Sequence, residues 1–256
     1  SGGSARRSRR EARTDRRLLT DEGQLILPER ASGQGADAFC AITSAALPLR
    51  VAIVGLSREV SVASAARAVQ STYAVTVATL ALDETGGRWL QMPAPAVNGD
   101  GKKNRAPMAD PQVVAAETLA RAQPDVIVLV GGIDGGATSA LYEIANLVAA
   151  IVSAQEESAR PAILFAGNRD ARPQIAARIG QLTQLRVADN VHPALDRENG
   201  AALQRELEAL YEERQLARLP GLGGLGNWTT AKIVPTARAF ENVVRFLSRR
   251  YGLSVL

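Results

Sequence analysis

The chain has 256 residues, of which 46% are hydrophobic and 22% are charged. A chain of this length and composition can bury a sizeable core, as one large domain or as two packed lobes, which excludes disorder throughout. No apolar run approaches the roughly 18–20 residues of a membrane span, so we expect a cytoplasmic protein without a membrane partner.

The net charge of +4 is concentrated at the N-terminus, where residues 1–17 hold seven Arg against Glu11 and Asp15. We expect residues 1–24 to form a basic tail or the end of a surface helix, and residues 25–256 to form an α/β region. Basic surfaces that bind nucleic acid usually interleave aromatic side chains with the charges. The tail has no aromatic residue, so we do not expect a nucleic-acid partner.

Strand and helix patterns alternate along the rest of the chain. Short apolar runs predict strands at residues 37–43, 49–56, 74–82, 126–130, 161–165 and 184–187. Apolar residues at helical spacing predict helices at residues 61–72, 110–122, 137–155, 170–180, 198–216 and 236–251. The first two strands could lie side by side in one sheet. Residues 83–111 hold many Gly and Pro residues and little periodicity, which predicts a flexible insertion.

The most informative segment is Gly131-Gly132-Ile133-Asp134-Gly135-Gly136, which follows the predicted strand 126–130 directly. Glycine adopts positive φ readily and lets a ligand approach the backbone, and the next helix would add its N-terminal N–H groups. Asp134 could hold Mg²⁺ or a hydroxyl group there. Alternatively, the segment is a tight turn in which Asp134 caps the following helix. The spacing matches neither a Walker loop nor GxGxxG, and it leaves both alternatives open.

A second loop of this kind follows the next strand, where Ala166-Gly167-Asn168 ends the apolar run. The carboxyl ends of parallel strands lie at one edge of a sheet, where ligands bind in open α/β folds. We therefore expect the two loops to meet at that edge.

Two further features allow more than one interpretation. The glycine-rich residues 219–228 end in Trp228, which either contacts a partner or anchors a surface loop in a groove, and we favour the anchor. His192 lies among Asn190, Pro193 and Asn199 and could act as a general base, but a structural role is the better expectation. With only Cys40 besides this histidine, neither an internal disulfide nor a zinc site is expected.

Together these motifs resemble, in order, the glutamate mutase MutL family. The resemblance is carried by residues 43–46, 49–56, 124–136, 162–168 and 190–199. This family comprises accessory proteins of adenosylcobalamin-dependent carbon-skeleton mutases and is unrelated to the mismatch-repair protein of similar name. The similarity runs from about Arg17 to the last predicted helix.

The resemblance implies a member of the actin, hexokinase and sugar-kinase-like ATPase superfamily, with RNase-H-like lobes whose mixed sheets are flanked by helices. It implies ATP and Mg²⁺ as cofactors, and a mutase subunit as the partner that the protein serves as a chaperone or reactivator. By motif position, the implied phosphate-binding residues are Gly131, Gly132, Gly135 and Gly136, the implied catalytic and Mg²⁺-binding residue is Asp134, and Gly167 and Asn168 are implied near the nucleotide.

Three departures from the family pattern bear on activity. The family's opening Asp-x-Gly-Ser-Thr phosphate loop does not occur here, Leu47-Pro48 stands where glycines are usual, and Ile133 stands where a Thr is usual. The chain is therefore expected to be a fragment or a degenerate relative that does not hydrolyse ATP by itself. The alternative function is a catalytically inactive scaffold that binds its partner through residues 221–228 and the Arg-rich N-terminus.

Overall fold

A computed structural model of the chain describes residues 16–83, 110–229 and 231–254. It divides into two units, Leu47–Leu216 and a second unit formed by Ser1–Ala46 with Ala217–Leu256. The described strands are β1 (Ile42–Thr43), β2 (Leu49–Gly55), β3 (Ala74–Ala81), β4 (Val126–Val130), β5 (Ala162–Phe165), β6 (Leu185–Val187) and β7 (Val234–Pro235). The described α-helices are α1 (Ala63–Gln70), α2 (Pro111–Ala122), α3 (Ser139–Ser153), α4 (Arg172–Ile179), α5 (Ala201–Tyr211), α6 (Leu222–Gly226) and α7 (Thr236–Tyr251).

The larger unit is built on a five-stranded parallel sheet in the order β3-β2-β4-β5-β6. β4 and β5 are apolar and buried along their whole length, as the sequence predicted for strands covered on both faces. The chain runs from β2 outward to β3 and then returns to β4 on the other side of β2. This reversal creates a topological switch point at the carboxyl ends of β2 and β4, where open α/β sheets bind ligands.

Helices cover both faces of this sheet. α2, α3 and α4 contribute Leu119, Val148 and Ile175 to a core cluster that also holds Val54 and Ile127 of the central strands. Because side chains alternate along a strand, the intervening buried residues point to the opposite face, where α1 packs on β2 and β3 and against α5. The sheet is thereby held between two layers, and its carboxyl edge carries the loops.

The α/β class is confirmed, but several finer expectations are corrected. The implied lobes had mixed sheets, whereas both sheets in the described residues are parallel. Of the predicted strand 37–43, only β1 is a strand, and it pairs with β7. It does not pair with β2, because β3 and β4 already occupy both edges of β2. Residues 16–19 are not helical, and Leu19 forms an antiparallel bridge with Leu25. Residues 1–15 of the basic tail and residues 84–109 of the predicted insertion lie outside the described residues.

In the smaller unit, β1 and β7 form a parallel pair and α7 follows β7 directly. Trp228 packs edge-on against Phe39, with ring centroids 6.0 Å apart and an interplanar angle of 75°. This packing agrees with the expectation that Trp228 anchors the glycine-rich segment. Within the described ranges, none of the helices has both the length and the apolar character needed to cross a membrane.

Candidate functional site

The segment after β4 turns sharply, and its glycines are required by the backbone. Gly131, Gly132 and Gly135 have φ values of 142°, 68° and 77°, which side chains rarely tolerate. The turn closes through a 3.1 Å hydrogen bond from the N–H of Gly136 to the carbonyl oxygen of Ile133. The predicted positive φ angles are therefore confirmed at three of the four glycines.

The loop after β5 is bonded tightly to the loop after β4. The N–H of Asn168 donates to the carbonyl oxygen of Gly131 at 2.9 Å, and its side-chain amide donates to that of Gly136 at 3.0 Å. Asn168 is fully buried, and its Oδ1 accepts from the N–H of Asp170 at 3.0 Å. Gly167 is required by this close approach, because a Cβ there would lie 2.8 Å from the Gly131 oxygen. As expected, the two loops meet at one edge.

A third loop, after β6, joins them through Asn190, which is 2% exposed. Its Nδ2 donates to the carbonyl oxygen of Gly132 at 2.9 Å and to Oδ1 of Asp134 at 3.0 Å. Its Oδ1 accepts from the N–H of His192 at 3.0 Å. We call residues 131–136, 166–170 and 188–193 the carboxyl-edge loops.

Asp134 is the carboxylate on which these loops converge. Its Oδ1 accepts from the side chain of Asn190 and also from the N–H of Arg169, each at 3.0 Å. Burial raises the pKa of Asp134, but these two hydrogen bonds and the charges of Arg169 and Arg172 outweigh burial and leave the pKa below its ordinary value. The carboxylate is therefore held ionised at neutral pH.

The alternative in which Asp134 caps the following helix is wrong. α3 begins after Thr138, and no side chain caps its first turn. The carboxylate instead accepts from Arg169, which opens the short 3₁₀ turn Arg169–Ala171 on the neighbouring loop. Asp134 thus links two loops rather than ending one.

Three N–H groups expected to cradle phosphates already donate within the protein. The N–H of Asp134 donates to the carbonyl oxygen of Pro193 at 3.0 Å, and the N–H of Gly135 donates to Oδ2 of Asp170 at 3.0 Å. The N–H of Gly136 donates to the carbonyl oxygen of Ile133 at 3.1 Å. A phosphate could use these groups only by displacing their present acceptors.

Other donors at the same edge remain available. Among the described residues, the N–H groups of Gly132 and Ile133 have no acceptor. The first N–H groups of α3, from Ser139 onward, have no intrahelical partner and no side-chain cap. The structure therefore offers donors at Gly132, Ile133 and the start of α3, rather than a cradle along the whole segment.

The carboxyl-edge loops offer few side chains that could coordinate a metal ion. Within the described residues, no group of three or more His, Cys, Asp or Glu side chains is placed to hold a metal ion. Asp134 and Asp170 are the carboxylates of the first two loops, and Oδ2 of Asp134 accepts no hydrogen bond from the described residues. A cation here would take most of its ligands from elsewhere.

His192 is half-buried, and its ring lies beside a serine of α1. Its Nδ1 lies 3.5 Å from Oγ of Ser64, whose hydroxyl donates to the carbonyl oxygen of Val60 at 2.9 Å. The 3.5 Å separation is too long for a strong hydrogen bond, so it does not by itself pair Ser64 and His192 as nucleophile and base. Beside them, Arg67 and Glu198 form an ion pair.

Sequence reasoning did not assign Asn190 and Asp170 to the site. A signal for Asn190 was present, since an asparagine follows β6 closely just as Asn168 follows β5. No local signal marks Asp170, because its partner Gly135 lies 35 residues away along the chain.

The fold and site define an open, doubly wound α/β protein whose three loops are hydrogen-bonded to one another at the carboxyl edge of a parallel sheet. A family model described as MutL protein matches residues 16–256. The chain therefore belongs to the MutL protein family, which confirms the resemblance seen in its motifs. No curated protein and no solved structure matches the chain.

Proposed function

We propose that this chain acts as an accessory protein of an adenosylcobalamin-dependent mutase of the glutamate mutase type and recognises a nucleotide at its carboxyl-edge loops. Membership of the MutL family supports the accessory role. The observation that carries the nucleotide proposal is the convergence of three loops at the carboxyl edge of the sheet, beside its switch point.

ATP with Mg²⁺ fits this edge in part. The N–H groups of Gly132, Ile133 and the first turn of α3 would hold phosphate oxygens, and Oδ2 of Asp134 would face the cation. Bound Mg²⁺-ATP would supply binding free energy that favours one arrangement of the loops. Gly167 and Asn168 contribute by holding the loops together, since Asn168 is fully buried. Because Ile133 stands where a hydroxyl-bearing Thr is usual in the family, we propose binding without hydrolysis.

The test is isothermal titration of the chain with Mg²⁺-ATP and Mg²⁺-ADP, beside thermal unfolding with each nucleotide. Binding is expected to raise the melting temperature, and Asp134→Ala is expected to remove that shift. Glu143→Ala is the matched control, because it removes an exposed carboxylate from the surface of α3. If neither this chain nor a chain extended upstream shows a heat of binding or a shift in melting temperature, nucleotide recognition is contradicted.

A second candidate is a scaffold that is indifferent to nucleotide. It is favoured by the internal acceptors that already occupy the N–H groups of Asp134, Gly135 and Gly136. In this case a purified mutase subunit would bind equally well with and without Mg²⁺-ATP, and Trp228→Ala would abolish that binding. Binding that depends on nucleotide would exclude the scaffold.

A further inference from the structure

The bond between Gly135 and Asp170 differs from the other links among the carboxyl-edge loops. The N–H of Gly135 donates to Oδ2 of Asp170 at 3.0 Å, so a carboxylate oxygen sits where an anionic ligand oxygen would bind. Gly135 is exposed, and beyond its two chain neighbours no residue has a heavy atom within 4 Å of the position that a Cβ would take there. This part of the loop is therefore open to an approaching ligand.

We propose that Asp170 is an internal anion that competes with the ligand of the glycine segment and thereby sets its affinity and selectivity. This inference rests on the proposed nucleotide-recognition function and names a residue that limits it. The ligand class is a polyanion, such as a nucleotide or pyrophosphate, that offers an oxygen to the N–H of Gly135 in place of the carboxylate.

Burial distinguishes Asp170 from the residues that hold the loops permanently. Its side chain is 50% exposed, so breaking its hydrogen bond leaves the carboxylate in water rather than buried without a partner. Asn168 and Asn190 are buried and bonded through both ends of their amides. Asp170 can therefore swing away while the two asparagines keep the loops in place.

The charges at this edge explain why displacement would matter for an anion. Arg172 pairs with Asp189 at 3.1 Å and Nε of Arg169 lies 3.8 Å from Oδ1 of Asp170, so these two carboxylates lie beside two guanidinium groups. When Asp170 leaves Gly135, one negative charge moves away from the incoming anion. Removing its carboxylate should therefore strengthen binding.

The experiment is isothermal titration of the full chain with Mg²⁺-ATP and with inorganic pyrophosphate. Asp170→Ala frees the N–H of Gly135 and removes the charge, and about tenfold tighter binding is expected because a charge-assisted hydrogen bond no longer competes. Asp170→Asn keeps a neutral acceptor and is expected to fall between Asp170→Ala and the wild type. Asp196→Asn removes an exposed carboxylate that lies outside the carboxyl-edge loops, and a change below about threefold is expected.

The outcomes separate this inference from the proposed function. If the wild type binds but Asp170→Ala binds less tightly, Asp170 serves the ligand or its cation, so the inference fails while nucleotide recognition stands. An equal gain in Asp196→Asn would assign the effect to bulk charge and also overturn the inference. If no variant binds either ligand, nucleotide recognition fails and the inference fails with it. A ligand-free check is amide exchange at Gly135, which should be faster in Asp170→Ala, and an unchanged rate would contradict the proposed competition.

Discussion

Replacing Asn190 by alanine tests most directly whether hydrogen bonds hold the carboxyl-edge loops together. The side chain is 2% exposed and makes three hydrogen bonds of 2.9–3.0 Å, to Gly132, Asp134 and His192. A net hydrogen bond between uncharged groups is worth about 1 kcal/mol, and one to a charged group about 1.5–3 kcal/mol. Because bonds that share one side chain do not add fully, we expect Asn190→Ala to lower the free energy of unfolding by about 3 kcal/mol.

The assay is urea unfolding of the full chain followed by far-UV circular dichroism, with amide exchange in β4 and β5 as the measure of the larger unit. Trp228 fluorescence reports on the smaller unit and is not used for this purpose. Asn146→Ala is the matched control, because Asn146 is half-buried on α3 and its side chain bonds to none of the described residues. If Asn190→Ala lowers the free energy of unfolding by an amount within about 0.5 kcal/mol of the control, the hydrogen bonds of Asn190 do not hold the loops together and this reasoning is refuted.

A second substitution at the same position separates lost hydrogen bonds from lost volume. Asn190→Asp keeps the shape but turns an oxygen towards the carbonyl of Gly132 and the carboxylate of Asp134, where the amide nitrogen donated. We expect it to destabilise at neutral pH at least as much as Asn190→Ala, and to recover part of the loss as acid protonates the introduced carboxylate. A loss that is independent of pH would show that charge repulsion is not the cause.

Further substitutions test individual residues. Asp134→Asn should cost about 1 kcal/mol at neutral pH. Because the folded-state pKa of Asp134 is lowered, the stabilisation is fully present above the unfolded-state pKa of about 3.9, and the difference should be lost as the pH falls through the lower folded-state pKa in a series of urea titrations. Gly167→Ala places a Cβ 2.8 Å from a backbone oxygen and should destabilise by about 1–3 kcal/mol in chemical unfolding, whereas Gly223→Ala enters open space and should change stability by less than about 1 kcal/mol. In a Trp89→Phe background, which leaves Trp228 as the fluorophore, Phe39→Leu should shift the tryptophan fluorescence. It should destabilise only the smaller unit, by about 0.5–1.5 kcal/mol, and equal changes in both units would contradict the division of the chain.

Much of this molecule could be predicted from sequence because the signals are local. The unbroken apolar run Val126–Val130 gave a buried strand, and the glycines after it gave a turn with positive φ. Both depend on residues within a few positions of one another. The family resemblance rests on the same local motifs and is confirmed.

Only the tertiary structure determines which residues are the hydrogen-bond partners of these motifs. Asn190 lies 58 residues from Gly132, and Asp170 lies 35 residues from Gly135, so their bonds exist only because the strand order places β4, β5 and β6 side by side. The same order left the predicted strand before β2 without a place in the main sheet. Local sequence determines which backbone conformations are allowed, whereas the partner of a buried donor or of a carboxylate is determined by which strands become neighbours.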